Sequence, residues 1–195
     1  MKFVIGIDPA NKYTAYVVCE TESMQPLYFG REENKKALTE ILEYALECKS
    51  RGSVVIGIEG MQSYGQPVGT PTFETCYWIG YLQCHFDLYQ IPHQLIFRSE
   101  EKMTICKRTR GKDSNIRAAL VDLFAPYASN HGKGTKDEPS IFYGFKKDIW
   151  QAFAIAYTLR EKEREKIMLQ LKKLTVDYRE APLGVENRTP RFGWQ

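Results

Sequence analysis

The sequence predicts an α/β fold with a mixed central sheet, an antiparallel hairpin followed by parallel strands, flanked by helices. Three observations predict it. Phe3-Val4-Ile5-Gly6-Ile7-Asp8 is an apolar, β-branched run closed by Pro9, and Tyr13 to Cys19 is a second such run after a very short connection. Two strand patterns joined so tightly form a hairpin. Between Glu33 and Lys49, Leu38, Ile41, Leu42, Ala45 and Leu46 recur at helical spacing, one apolar face of an amphipathic helix. Val54-Val55-Ile56-Gly57-Ile58-Glu59 then reads as another buried strand, and strand, helix and strand in that order imply parallel pairing through a right-handed crossover.

The remaining elements follow in order. Residues near Leu27 to Phe29 supply a third strand. The aromatic-rich stretch from about Thr72 to Tyr89 reads as helix and Ile91 to Phe97 as strand. Lys112 to Phe124 is helical, with Ile116, Ala119, Leu120, Leu123 and Phe124 on one stripe and Asp113 or Ser114 as cap. A loop rich in Gly, Lys and Pro runs from Pro126 to about Lys147. The last helix starts near Asp148, is apolar nearly all round through Leu159, and turns charged from Arg160 onward. A helix apolar on every side is a buried one. Residues 1–176 are expected to form a single domain, and residues 177–195, with Pro182, Gly184, Pro190 and Gly193, a C-terminal arm.

Composition narrows the class. Of 195 residues, 43% are hydrophobic and 26% charged, the make-up of an ordinary globular chain. Net charge is only +3, too mild to argue for nucleic acid by itself. No apolar run approaches the roughly 18 residues that span a bilayer, and the N-terminus turns acidic too soon for a signal peptide, so no membrane is expected. Cys19, Cys48, Cys76, Cys84 and Cys106 form an odd set without CxxC spacing. They read as reduced packing residues in an intracellular protein. His85 and His93 sit in apolar surroundings and His131 in a Gly/Lys loop, with no metal-ligand spacing among them.

Two buried strands each end in a carboxylate, Asp8 and Glu59. Strand ends meet solvent and often carry an acid, so either alone says little. Neighbouring strands of one sheet, however, place both at the same edge. Asp148 opens an otherwise apolar helix, a position where an acid is stabilised by up to about 1 kcal/mol through the helix dipole. Three converging carboxylates repel one another unless a cation neutralises them. Hard divalent ions with oxygen ligands do this, and a pair of them supports in-line phosphodiester displacement.

Ile5-Gly6-Ile7-Asp8-Pro9 with Thr14-Ala15-Tyr16 resembles the IGIDPG…TGY opening of the RuvC-type Holliday junction resolvases, whose fold is RNase H-like. Ile58-Glu59 resembles their second acidic strand. Lys147-Asp148-Ile149-Trp150-Gln151-Ala152-Phe153-Ala154-Ile155-Ala156 resembles their acid-led last helix, and the stretches around Lys102 and Lys112 their two lysine motifs. The likeness spans roughly residues 3 to 160 in the family's order. It implies Asp8, Glu59 and Asp148 as ligands of Mg²⁺ (or Mn²⁺), and Lys102 and Lys112 beside the scissile phosphate. It also implies a homodimer acting on a four-way DNA junction, with hydrolysis to 5′-phosphate and 3′-hydroxyl ends. The family often carries a second acid three residues into the last helix. Here Gln151 holds that place, a weak ligand or an orienting group. Ala10 replaces a glycine, and insertions around Gly65–Thr70 and Gly134–Lys136 point to a divergent phage or mobile-element type.

Nucleic-acid contacts are expected from the segment Arg98 to Arg117, where Arg98, Lys102, Lys107, Arg108, Arg110, Lys112 and Arg117 stand against three acids. Beside a metal site such a run is a phosphate-binding wall. Tyr64, in the loop after Glu59, is the candidate for a wedge that unstacks a base step. Tyr77, Trp78 and Tyr81 read as core or dimer contacts. The alternatives are a nuclease for other branched DNA or RNA:DNA hybrids, and a catalytically inactive junction-binding protein.

Overall fold

The computed structural model of the chain describes residues 1–62, 65, 67–108, 113–171, 174–176, 179–180 and 192–194. β1 (Phe3–Pro9), β2 (Tyr13–Glu20) and β3 (Pro26–Glu33) form an antiparallel meander. α1 (Asn34–Arg51) then returns the chain to β4 (Val54–Gly60), which pairs in parallel with β1. α2 (Thr70–Leu88) leads to β5 (His93–Phe97), parallel to β4. The sheet order is β3-β2-β1-β4-β5, the mixed sheet the sequence predicts.

β3 runs well past the expected Leu27–Phe29. It alternates half-buried and exposed residues along its whole length because it is an edge strand with one covered face. Its polar half, Gly30 to Glu33, hid the pattern. The segment after β5 also differs from a plain basic loop. It folds as α3 (Arg98–Cys106), which Lys107 ends with φ 55°, before α4 (Asp113–Phe124) begins. The stretch from Pro126 to Lys147 contains one short helix, α5 (Ser129–Gly132), and two fully buried rings, Phe142 and Phe145. α6 (Ile149–Leu171) follows.

The chain divides into two compact units, Met1–Leu159 and Arg160–Gln195. The second holds the charged end of α6 and a small antiparallel sheet of β6 (Leu174–Val176), β7 (Arg179–Glu180) and β8 (Phe192–Trp194) in the order β7-β6-β8. β7 and β8 lie within residues 177–195, read from sequence as an arm.

In the first unit each sheet face has its own core. Phe3, Ile5, Ile7 and Val18 meet Ala37, Leu38, Ile41, Ala45 and Cys48 of α1 and Ile79, Leu82 and Phe86 of α2. Val4, Val17 and Ile96 meet Phe142, Phe145 and the apolar half of α6. Each fully buried aliphatic or aromatic side chain contributes about 1.5–3 kcal/mol. Cys19 and Cys48 are packing residues as expected, but Cys76 and Cys84 are exposed on α2, and all five thiols are free. Among the described residues no helix is long and apolar enough to cross a membrane.

Two glycines set where α6 lies. Gly6 and Gly57 are register partners on β1 and β4. A Cβ on Gly6 would fall 2.0 Å from the Ala152 carbonyl oxygen and 2.6 Å from the Ala156 nitrogen, and one on Gly57 3.0 Å from Ile155 and 3.2 Å from Leu159. Backbone can therefore lie directly on backbone. One helical turn before these contacts is the start of α6, and two residues beyond the glycines are Asp8 and Glu59. The steps match: four helical residues rise about 6 Å and two strand residues about 6.6 Å.

Candidate active site

That arithmetic brings together the acids the sequence singles out. Asp8 and Glu59 share the α6 side of the sheet with Gly6 and Gly57, because strand side chains alternate. Asp148 immediately precedes α6, and its carbonyl accepts the Ala152 amide, so it occupies the helix cap. Gln151 sits one turn in. All four line one cleft of about 970 Å³, together with Arg98, Arg117, Trp150, His131 and Lys147.

The electrostatics are those of crowded acids. The Asp8 carboxyl lies within hydrogen-bonding reach of Glu59, and its pKa stands well above the ordinary carboxylate range. Burial is the first cause, the Glu59 charge the second, and Asp148 and Glu101 add to it. Glu59 Oε1 accepts from Gln151 Nε2 at 3.3 Å and lies 3.9 Å from Arg98. Asp148 faces the same cleft, but its Oδ2 accepts from Arg31 Nε at 2.6 Å. Arg31 in turn lies 4.4 Å over the Tyr13 ring. Among the described residues no three His, Cys, Asp or Glu side chains are set closely enough to hold an ion as they stand. The chemistry of the donors nonetheless fits a hard divalent cation: the converging groups are carboxylates, and the raised Asp8 marks a place that favours positive charge.

The basic residues divide. Arg117 lines the cleft, its guanidinium 4.5 Å over Trp150. Arg98 also lines it but points inward, bonded to Glu101 at 2.9 Å. Lys102 is half-buried on α3 and does not line the cleft, and Lys107 and Arg108 are exposed at the end of that helix. Arg110, Lys112 and Tyr64 lie outside the described residues. Sequence reasoning missed four residues in or beside the site. Arg31 sits on an edge strand distant in sequence, and Lys147 and His131 were absorbed into a loop. Glu101 was counted as one of three acids in a basic run, yet it is fully buried and its pKa is pushed up to about 7, first by burial and then by Glu59. Its spacing to Arg98, i and i+3 on one helix, was the available signal.

On α2, Trp78 Nε1 donates to Thr14 Oγ1 at 2.8 Å and is a core contact. Tyr77 and Tyr81 are 78% and 48% exposed, so neither is core.

No protein-family model and no curated protein matches the chain. Solved structures do. The RuvC structure of Thermus thermophilus superposes with a TM-score of 0.60 at 16% identity, over 84% of this chain and 96% of that one. The same protein in complex with a Holliday junction substrate gives 0.58 at 15%, over 85% and 96%. The fowlpox virus Holliday junction resolvase gives 0.43 at 14%, over 84% and 99%, too loose a likeness to argue from. The mixed five-stranded sheet and the T. thermophilus superpositions together show the fold: this chain has the RuvC-type, RNase H-like fold, in a divergent sequence.

Proposed function

We propose that this chain is a metal-dependent, structure-selective endodeoxyribonuclease that resolves Holliday junctions, leaving 5′-phosphate and 3′-hydroxyl ends, with Mg²⁺ or Mn²⁺ as cofactor and a homodimer as the working form. The observation that carries it is the gathering of Asp8, Glu59 and Asp148 on one cleft, in a chain with the fold of a protein solved on a Holliday junction.

Asp8 and Glu59 would hold the cation, joined by Asp148 on leaving Arg31. Gln151 keeps Glu59 oriented through its amide or ligates weakly through its carbonyl. Bound there, the cation neutralises the acids and polarises the phosphodiester as a Lewis acid. The protein's own part is to present the phosphate. Arg117 and Lys147 line the same cleft as the acids and would pair with backbone oxygens. Lys102 and Lys112, the family's lysine positions, would stabilise developing charge. Arg98 neutralises Glu59 and Glu101, while Lys107, Arg108 and Arg110 would engage backbone further out. Tyr64 is the proposed wedge. The homodimer is supported by α2, whose outer side exposes Phe73, Tyr77 and Leu88 at 53%, 78% and 72%, an apolar surface that water disfavours.

The test is cleavage of an end-labelled four-way junction with Mg²⁺, beside linear duplex, a flap and an RNA:DNA hybrid. Asp8→Asn removes a carboxylate ligand and should lower the rate by at least about 100-fold, the upper end of what loss of an outer-shell partner costs, while leaving junction binding intact. Paired nicks on the junction support the resolvase. Preferential cutting of another substrate moves the reading to a different branched-DNA or hybrid nuclease. Tight junction binding without metal-dependent cutting makes this an inactive binder, the second reading, which the Arg31 clasp on Asp148 and the amide at Gln151 favour.

A further inference from the structure

Gln151 stands where the resemblance places an acid, and its surroundings show where a replacement charge sits. Its Nε2 donates to Glu101 Oε2 at 2.6 Å and to Glu59 Oε1 at 3.3 Å. Glu101 comes from α3, fifty residues away in sequence, and is fully buried. Arg98 donates to the same Oε2 at 2.9 Å. The other oxygen, Oε1, is buried with no hydrogen-bond partner. An unsatisfied buried carboxylate oxygen costs free energy that an apolar side chain of similar shape would not. A purely structural Glu101 is therefore an expensive way to close α3 onto α6.

We infer that Glu101 is the displaced acid of this site, a positioning residue that supplies from α3 the carboxylate that position 151 lacks on α6. It acts through Gln151. An acid at position 101 turns the Gln151 amide so that its N–H groups face Glu59 and Glu101. Glu59 is thereby held for the cation, and a fourth carboxyl group is kept beside the pair Asp8 and Glu59. Arg98, 3.9 Å from Glu59 and 2.9 Å from Glu101, pairs with both. The inference rests on the metal-dependent reading above and adds the residue that makes a three-acid sequence motif into a four-acid site.

The experiment is calorimetric titration of the full-length, metal-free protein with Mn²⁺, with circular dichroism to confirm folding and junction cleavage as a separate readout. Four proteins are compared: the unaltered chain, Glu101→Gln, Gln151→Glu, and the two substitutions together. Glu101→Gln should weaken Mn²⁺ binding by about tenfold or more, as loss of a ligand-orienting partner does, and lower kcat with KM for the junction unchanged. Gln151→Glu alone sets two carboxylates against each other and should not tighten binding. The double variant exchanges acid and amide while keeping the hydrogen bond between them, and should recover most of the lost affinity. If Glu101→Gln does not fold, the double variant carries the test by itself: Mn²⁺ affinity close to that of the unaltered chain supports the exchange. A folded Glu101→Gln protein with unaltered affinity overturns the inference, as does a folded double variant that binds Mn²⁺ poorly. Recovery of Mn²⁺ binding by the exchange in a protein that cuts no junction would leave this inference standing and sink the resolvase. An unaltered chain that binds no Mn²⁺ overturns both.

Discussion

The two faces of the sheet are built by different rules. The face under α1 and α2 is filled by Ile5, Ile7, Ile41, Leu82 and Phe86, each fully buried, so side chains separate the helices from the sheet. The face under α6 has two glycines at its centre and a ring of aromatics at its margin, with Phe142 against Trp150 at 4.6 Å and Phe153 at 5.2 Å. Helix backbone there touches strand backbone. The first face is packed by aliphatic and aromatic side chains throughout. The second gives up side-chain volume at its centre so that the start of α6 is delivered onto Asp8 and Glu59.

That contrast is testable through pairs of substitutions. The largest stability effect belongs to the aliphatic face. Ile41→Ala, at a fully buried position of α1, should destabilise by about 2–5 kcal/mol while the protein that remains folded keeps its Mn²⁺ affinity. Chemical denaturation beside metal titration checks it, and a matched loss of metal binding would mean that the two faces are not separable.

Gly6→Ala is the complement. The added methyl meets Ala152 and Ala156 backbone atoms, which cannot swing aside as a side chain would, so α6 must lift. An overpacking cost of about 1–3 kcal/mol is expected, smaller than that of Ile41→Ala, yet metal binding and junction cutting should fall steeply because Asp148 and Gln151 move with the helix. Retention of full activity in Gly6→Ala would show that the close approach is not what sets the site.

A third prediction uses pH. Asp8 and Glu101 both have raised pKa values, so the folded, metal-free chain holds protons that the unfolded chain releases. Their contribution to stability is fully present below the ordinary carboxylate pKa. It is lost as pH rises, for Glu101 through about 7. The metal-free Tm should therefore fall from mildly acidic to mildly alkaline pH, and Asp8→Asn should flatten the slope. A Tm that rises over this range would contradict the crowding of the acids.

The same contrast governs what the sequence made legible. The strands, α1 and α6 announced themselves because burial writes a period or an unbroken apolar run into the chain. Asp8, Glu59 and Asp148 were legible because each breaks such a run. α3 was not, since nine residues with a buried Glu101 and a half-buried Arg98 carry no apolar stripe. Glu101 reads as surface charge until Gln151 and Arg98 are brought beside it, and that pairing is made by the fold. Phe142 and Phe145 lay in a stretch whose glycines and lysines read as solvated loop, although they cap the core. Cys76 and Cys84 failed in the opposite sense: cysteine is usually buried, but on α2 these two point away from the sheet.

The smallest expected effect concerns the one acid that the metal-free site holds apart. Asp148 is 45% and Arg31 35% exposed at the side chain, and an exposed pair of this kind contributes about 0–1 kcal/mol. Arg31→Ala should therefore cost little stability, the weak pair plus about 0.5–1 kcal/mol for its stacking on Tyr13. Its effect on the cation has a definite sign. In the metal-free protein Arg31 competes for Asp148, so removing it should tighten Mn²⁺ binding modestly, by no more than the energy of the pair it breaks. High salt should narrow the difference between the two proteins, since it already screens the clasp. Weaker Mn²⁺ binding in Arg31→Ala would reverse the assignment: Arg31 would then be aiming Asp148 at the site, and the arrangement at the start of α6 would be preorganised for the ion.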